Sequence, residues 1–114
     1  MIGVDVVVID RIEKMMDRWG EKALQRFLSK KEIALVTSAS SAAGFWAAKE
    51  AASKAIGTGI GAQCAFHDLK ISKTKLGQPV LKYRKRLRKK FNINHCSLSI
   101  THDGGLAIAV VALR

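Results

Sequence analysis

The 114-residue chain is 48% hydrophobic and carries 20 Lys+Arg against 9 Asp+Glu, a formal net charge of +11. That length suits one core and is short for two ordinary domains, so residues 1–114 are expected to form a single domain. No stretch reaches the roughly 18 consecutive apolar residues of a membrane-spanning helix, and a soluble protein is expected. The charge calls for an anionic partner without choosing among nucleic acid, an acidic protein, a phosphorylated small molecule and an anionic membrane surface.

Ile2 to Ile9 reads as a strand, because β-branched residues dominate and the apolar run leaves both faces to be buried. Asp10 with Glu13 forms a capping pair for a helix from about Arg11 to Trp19, whose apolar stripe is Ile12, Met15, Met16 and Trp19, with Gly20 as its end. Ala23, Leu24, Phe27 and Leu28 mark a second helix, and Ser29 with Glu32 opens a short third one. After a Ser-rich link from Thr37 to Ser41, the longest helical pattern runs from Ala42 to Ile56, mostly alanine, with Gly57 as its stop.

Thr58-Gly59-Ile60-Gly61 reads as a flexible loop, Leu69 and Ile71 as a strand, and Leu76-Gly77-Gln78-Pro79 as a turn into Val80 and Leu81. Val80, Tyr83, Leu87 and Phe91 fall on one face of a basic amphipathic helix. Cys96, Leu98 and Ile100 then alternate with Ser97, Ser99 and Thr101, Asp103-Gly104 offers a tight turn, and Leu106 to Leu113 returns as a strand. The order of elements is that of an α+β protein with a small antiparallel or mixed sheet packed against the long Ala-rich helix. Cys64 and Cys96 stand far apart with no CxxC pair and no export signal near them, which fits reduced thiols in a cytoplasmic protein. Nothing staples so small a core, so oligomerisation is expected.

Asp5 lies within an apolar strand, where an ionised carboxylate is costly unless a cation or hydrogen-bond donors compensate it. Lys49-Glu50 and Ser53-Lys54 interrupt an otherwise apolar helix. An ordinary i,i+4 ion pair between Glu50 and Lys54 contributes roughly 0.2–0.5 kcal/mol, but it belongs on a polar face that the neighbouring alanines do not supply. Two carboxylates from different elements with lysines nearby are what magnesium on a diphosphate requires, since that ion takes one or two protein carboxylates and fills its other positions with phosphate oxygens and water. Asp5 and Glu50 are the candidate ligands, and Lys54 the candidate phosphate neutraliser. The hydroxyls of Ser97, Ser99 and Thr101 share one strand face with His102 at its end, a set that can hold a phosphate or simply face solvent.

These residues converge on a family. The strand Ile2-Gly3-Val4-Asp5 leading to Ile9-Asp10-Arg11-Ile12, the helix Trp46-Ala47-Ala48-Lys49-Glu50-Ala51-Ala52-Ser53-Lys54-Ala55 followed by Gly57-Thr58-Gly59-Ile60, the Gly77-Gln78-Pro79 turn and Ser97-Leu98-Ser99-Ile100-Thr101-His102 together resemble the holo-acyl-carrier-protein synthases, in order and spacing across almost the whole chain. The resemblance implies a 4'-phosphopantetheinyl transferase fold. It also implies magnesium-dependent transfer of the phosphopantetheine arm of coenzyme A to a serine of apo acyl carrier protein, in fatty acid biosynthesis. On the same ground Asp5 and Glu50 bind magnesium and are catalytic together with Lys54, which lies beside the coenzyme A pyrophosphate. Gly77, Pro79, Ser99, Thr101 and His102 hold the adenosine phosphate end, and the sites lie between subunits of a homotrimer. Many relatives have Arg where this chain has Phe45, and Lys49 and Lys75 are the candidates for the compensating charge.

Arg11, Lys14, Arg18 and Lys22 recur at intervals of three and four, so one helix can present them as a cationic stripe. By resemblance that stripe meets the acidic carrier protein. The base that takes the serine proton stays open among Glu50, Asp5 acting through a water, and water alone. A small RNA- or DNA-binding protein built on Lys82 to Lys90 is the rival reading, weakened by only 6% aromatic residues and no stacking aromatics within the basic run. Neither nucleic acid nor membrane is therefore expected as a partner. A non-catalytic carrier-protein scaffold is a third reading.

Overall fold

A computed structural model describes residues 1–114. The chain runs β1 (Ile2–Val8), α1 (Ile9–Trp19), α2 (Glu21–Gln25), α3 (Lys30–Ile33), α4 (Ala39–Ala55), a 3-10 turn at Phe66–Asp68, β2 (Leu69–Lys73), β3 (Pro79–Tyr83), α5 (Lys85–Lys90), β4 (Cys96–Asp103) and β5 (Leu106–Leu113). β1, β5 and β4 form an antiparallel sheet in that order, and β2 pairs antiparallel with β3 as a separate hairpin. This is the α+β arrangement read from the sequence, with α4 as its central helix.

Helix α4 is buried along most of its length because alanine lets neighbouring backbones come close: Ala42, Ala43, Ala47, Ala48, Ala51 and Ala52 are all fully enclosed. Its N-terminus is a reciprocal serine cap, in which Ser38 Oγ accepts from Ser41 N at 3.1 Å and Ser41 Oγ accepts from Ser38 N at 3.2 Å. The helix therefore starts at Ala39, within the stretch read as a serine-rich link. The sheet lies across α4 through Gly3 and Val7 of β1 and Ala107, Ala109, Val111 and Leu113 of β5, which alternate inward with period two.

Three expectations are corrected. The first strand buries one face only: Ile2, Val4, Val6 and Val8 point away from α4 and are 71%, 56%, 56% and 54% exposed. The basic amphipathic helix over Val80 to Phe91 does not form as such. Pro79–Tyr83 pairs with Leu69–Lys73, so Leu81 and Tyr83 turn inward at strand spacing, and only Lys85–Lys90 is helical. Cross-strand pairing decided a segment whose apolar residues fit either period. Finally, Asp10 does not cap α1, which begins at Ile9 with Val8 as its cap residue; Asp10 sits in the first turn and pairs with Lys14 at 3.0 Å. The closing hairpin turns on Gly104 and Gly105, both at positive φ (56° and 80°), one residue beyond the predicted Asp103-Gly104.

Candidate active site

The site begins with a glycine. β1 crosses α4 so closely at Gly3 that a Cβ there would overlap the carbonyl oxygen of Ala51 and stand 2.7 Å from Ala55 N. Two residues on, the same inward face of the strand presents Asp5 to the helix surface carrying Glu50 and Lys54. Lys54 Nζ donates to Asp5 Oδ1 at 2.8 Å and stands 3.4 Å from Val4 O. Glu50 is half-buried, and its backbone carbonyl accepts from Ser53 Oγ at 2.7 Å.

Burial pushes the Glu50 carboxyl above its ordinary range and the negative charge of Asp5 adds to this, while Lys54 and Arg11 pull it back. The hydrogen bond from Lys54 to Asp5 raises the lysine. Two acids thus share a site in which one repels the other's charge, a donor set that favours a cation between them. No cluster of three or more His, Cys, Asp or Glu exists that could hold a metal ion, so an all-protein cage is absent. A pair of carboxylates with open oxygen positions suits magnesium, which keeps waters and substrate phosphates among its ligands.

Lys49 is not available to a ligand. Its side chain is fully buried, and its ammonium donates to Phe27 O at 2.8 Å and to Glu32 Oε1 at 2.9 Å. Glu32 accepts in addition from Ser29 N at 2.8 Å and Ile71 N at 2.7 Å, so the charge of Lys49 is spent on tying α3 and β2 to α4. The expected phosphate contact from Lys49 is therefore corrected to a structural pairing.

A second cavity, of about 180 Å³, opens at the other end of α4, with Ser40, Ser41, Phe45, Lys73, Pro79 and His102 among its lining residues. Of the residues that the resemblance assigns to the adenosine phosphate end, Pro79 and His102 both line it. Ser99 and Thr101 face the opposite side of β4, with Ser97, because the strand alternates and Ile100 packs against Gly44. Gly77 lies in the exposed β2–β3 turn at φ 85°, where its N–H donates to Thr74 O at 2.9 Å, and neither it nor Lys75 lines the cavity. Sequence reasoning missed Lys73, which no spacing rule marks, since the β2–β3 hairpin brings it to Phe45. Phe45 and Lys54, nine positions apart, lie on opposite sides of α4 and roughly 13 Å apart along its axis.

The predicted cationic stripe divides at Gly20: Arg11, Lys14 and Arg18 are exposed on α1, and Lys22 is exposed on α2. Lys14 is engaged by Asp10. The guanidinium of Arg11 stacks over Trp46 of α4 with 5.2 Å to the ring centroid, and its charge reaches Glu50, so α1 adjoins the acidic pair.

The sequence model of the 4'-phosphopantetheinyl transferase superfamily matches residues 1–111. The holo-[acyl-carrier-protein] synthase of Aliarcobacter butzleri is 59% identical over 111 residues, covering 97% of this chain and 94% of that protein. The crystal structure of Helicobacter pylori holo-[acyl-carrier-protein] synthase in complex with coenzyme A superposes with a TM-score of 0.96 at 50% identity over the whole of both chains. The Bacillus anthracis enzyme, in complex with coenzyme A (3',5'-ADP), superposes at 0.82 with 34% identity, covering 98% of this chain and 93% of that one. The fold is shared with solved holo-[acyl-carrier-protein] synthases, and this chain belongs to the 4'-phosphopantetheinyl transferase superfamily.

Proposed function

We propose that this chain transfers the 4'-phosphopantetheine arm of coenzyme A to a serine of apo acyl carrier protein, releasing adenosine 3',5'-bisphosphate. The observation that carries the reading is the convergence of Asp5, Glu50 and Lys54 at the β1–α4 crossing, in a chain so similar to synthases that bind coenzyme A. Asp5 and Glu50 would hold one magnesium ion, which supplies neutralisation of charge on the diphosphate when bound. Lys54, half-exposed and cationic beside Asp5, binds a phosphate oxygen and offsets charge on the departing bisphosphate. The serine oxygen forms a bond to the β-phosphorus as the bond to the bridging oxygen breaks, in line with general phosphoryl-transfer geometry. The serine proton is taken up by Glu50, by Asp5 acting through a water, or by water itself.

The chain works as a homotrimer with sites between subunits. Two observations support this reading. The outward sheet face is apolar at Ile2, Val4, Val6, Val8, Leu106 and Val110, all exposed in the single chain, and an exposed apolar patch of this kind marks an interaction surface. The acidic pair and the Phe45 cavity also open on opposite sides of one helix, and sites shared between copies would let each half serve a coenzyme A together with a neighbour's other half. Arg11, Lys14, Arg18 and Lys22 form the approach surface for the acidic carrier protein, and two free thiols fit a cytoplasmic setting.

The test is intact mass spectrometry of apo carrier protein incubated with the chain, coenzyme A and magnesium. Addition of one phosphopantetheine group that a chelator abolishes supports the reading; an unchanged carrier mass overturns it.

A further inference from the structure

From Leu69 to His102 the chain holds no acidic residue, while Lys and Arg recur throughout. The acid at the edge of this segment, Asp68, is committed: Arg84 stands 3.3 Å from one of its carboxylate oxygens and Arg86 2.8 Å from the other. Every other cation of the segment lacks an acidic partner. Arg88 of α5 is half-buried, yet its guanidinium, with five N–H donors, makes neither an ion pair nor a side-chain hydrogen bond, in contrast to Arg86. Lys82 of β3 lies directly opposite Lys70 of β2, where like charges repel across the two strands, a cost that a bound anion would relieve.

Arg88 and Lys82 meet at a cavity of about 400 Å³, within the range of small-molecule sites, where β3, α5 and the start of β4 come together. Asn94 and His95 complete its polar side, and half of its lining, Val80 and Ile93 included, is apolar. It shares no lining residue with the Phe45 cavity and holds none of Asp5, Glu50 and Lys54. The two halves of the lining point to two parts of one ligand. A bare inorganic ion has no use for the apolar wall, and a neutral hydrocarbon leaves the guanidinium without an acceptor. The planar fork of Arg88 matches the paired oxygens of a carboxylate or a phosphate.

We infer that this cavity binds a small organic anion with one oxyanion head, carboxylate or phosphate, and a short apolar body. Arg88 holds the head through two parallel hydrogen bonds, Lys82 adds charge, and Val80 and Ile93 cover the body. The site is separate from the transfer centre, and the inference does not rest on the transferase reading.

The experiment is an amide NMR titration of the assembled protein, with and without saturating coenzyme A, using octyl phosphate, octanoate, inorganic phosphate and octanol as probes. Saturable shifts at Tyr83, Asn94, His95 and Cys96 report the cavity. At least one of the two octyl anions should bind there, the tighter naming the head, with octanol and inorganic phosphate weaker by about ten-fold or more. Coenzyme A should leave that affinity unchanged. Arg88→Gln should weaken the anion about ten-fold and leave octanol unaffected, and Val80→Thr should weaken octyl phosphate but not inorganic phosphate. Lys82→Gln, at an exposed strand position, provides the same comparison should Arg88→Gln fold poorly. Octanol or inorganic phosphate binding as tightly as the octyl anions overturns the assignment. So do displacement by coenzyme A, wild-type affinity in both charge variants, and the absence of saturable shifts at these residues.

Discussion

Lys54 Nζ lies 2.8 Å from Asp5 Oδ1, although 49 positions separate the two residues. The ammonium is half-exposed while the carboxylate is 13% exposed, so the lysine reaches in from solvent to an acid held by the fold. Glu50, one helical turn before Lys54, feels the charge of the same aspartate. In Lys54→Ala, Asp5 loses its cation and the Asp5–Glu50 repulsion goes unrelieved. Transfer should fall by about 100-fold or more, on the scale of removing one group that stabilises transition-state charge. Circular dichroism should stay native, and turnover within a few-fold of wild type would contradict the assigned role.

The geometry of that pair depends on a backbone approach. Gly3→Ala drives a methyl group into Ala51 O and close to Ala55 N, neither of which can move without shifting α4. Overpacking of this kind costs about 1–3 kcal/mol, occasionally more. Urea denaturation should show the loss, and transfer should drop further than the instability explains, because Asp5 rides on the same strand two residues away.

The sequence made this much legible for identifiable reasons. The Gly-x-Asp strand and the Lys49-Glu50 to Lys54 interruption of an alanine helix were anomalous as charges within apolar runs, and the structure brings Asp5, Glu50 and Lys54 together. Lys49 carried the same anomaly with a different resolution, since its partner Glu32 lies 17 positions away and no helical spacing points to it. Val80 and Tyr83 misled because three apart suits a helix, whereas their register against Ser72 and Leu69 is a long-range fact that only the folded hairpin reveals. The one-sided exposure of β1 was hidden likewise, because a strand apolar on both faces looks the same whether its second face meets a core or another copy of the chain.

The Glu32–Lys49 pair gives a stability prediction independent of catalysis. Glu32→Ala leaves a buried ammonium without its counter-charge, a loss of about 3–5 kcal/mol. Adding Lys49→Met should recover part of it. The shortfall should be about 1–3 kcal/mol for each backbone N–H, those of Ser29 and Ile71, that no longer has an acceptor. A double variant as unstable as Glu32→Ala alone would contradict the buried-charge account.

Burial pushes the thiols of Cys64 and Cys96 up to about 11. At pH 8 the native thiolate fraction is then roughly one in a thousand, so an aromatic disulfide reagent should label the folded protein slowly and the urea-unfolded chain quickly. The sign for stability follows from the raised folded value. Below the ordinary 9.0 both states hold their thiol protons and the term is absent; as pH rises from 9 towards 11 the unfolded chain ionises first and stability declines. Replacing both cysteines by alanine should flatten that decline.

The account stands on Asp5 and Glu50 acting together on a single divalent ion. The most direct measurement is calorimetric titration of manganese, as a magnesium substitute, into the assembled protein saturated with coenzyme A, for wild type, Asp5→Asn and Glu50→Gln. One ion per site in wild type, with affinity lowered at least about ten-fold by either substitution, is the predicted result. Unaltered manganese binding in both variants would contradict it.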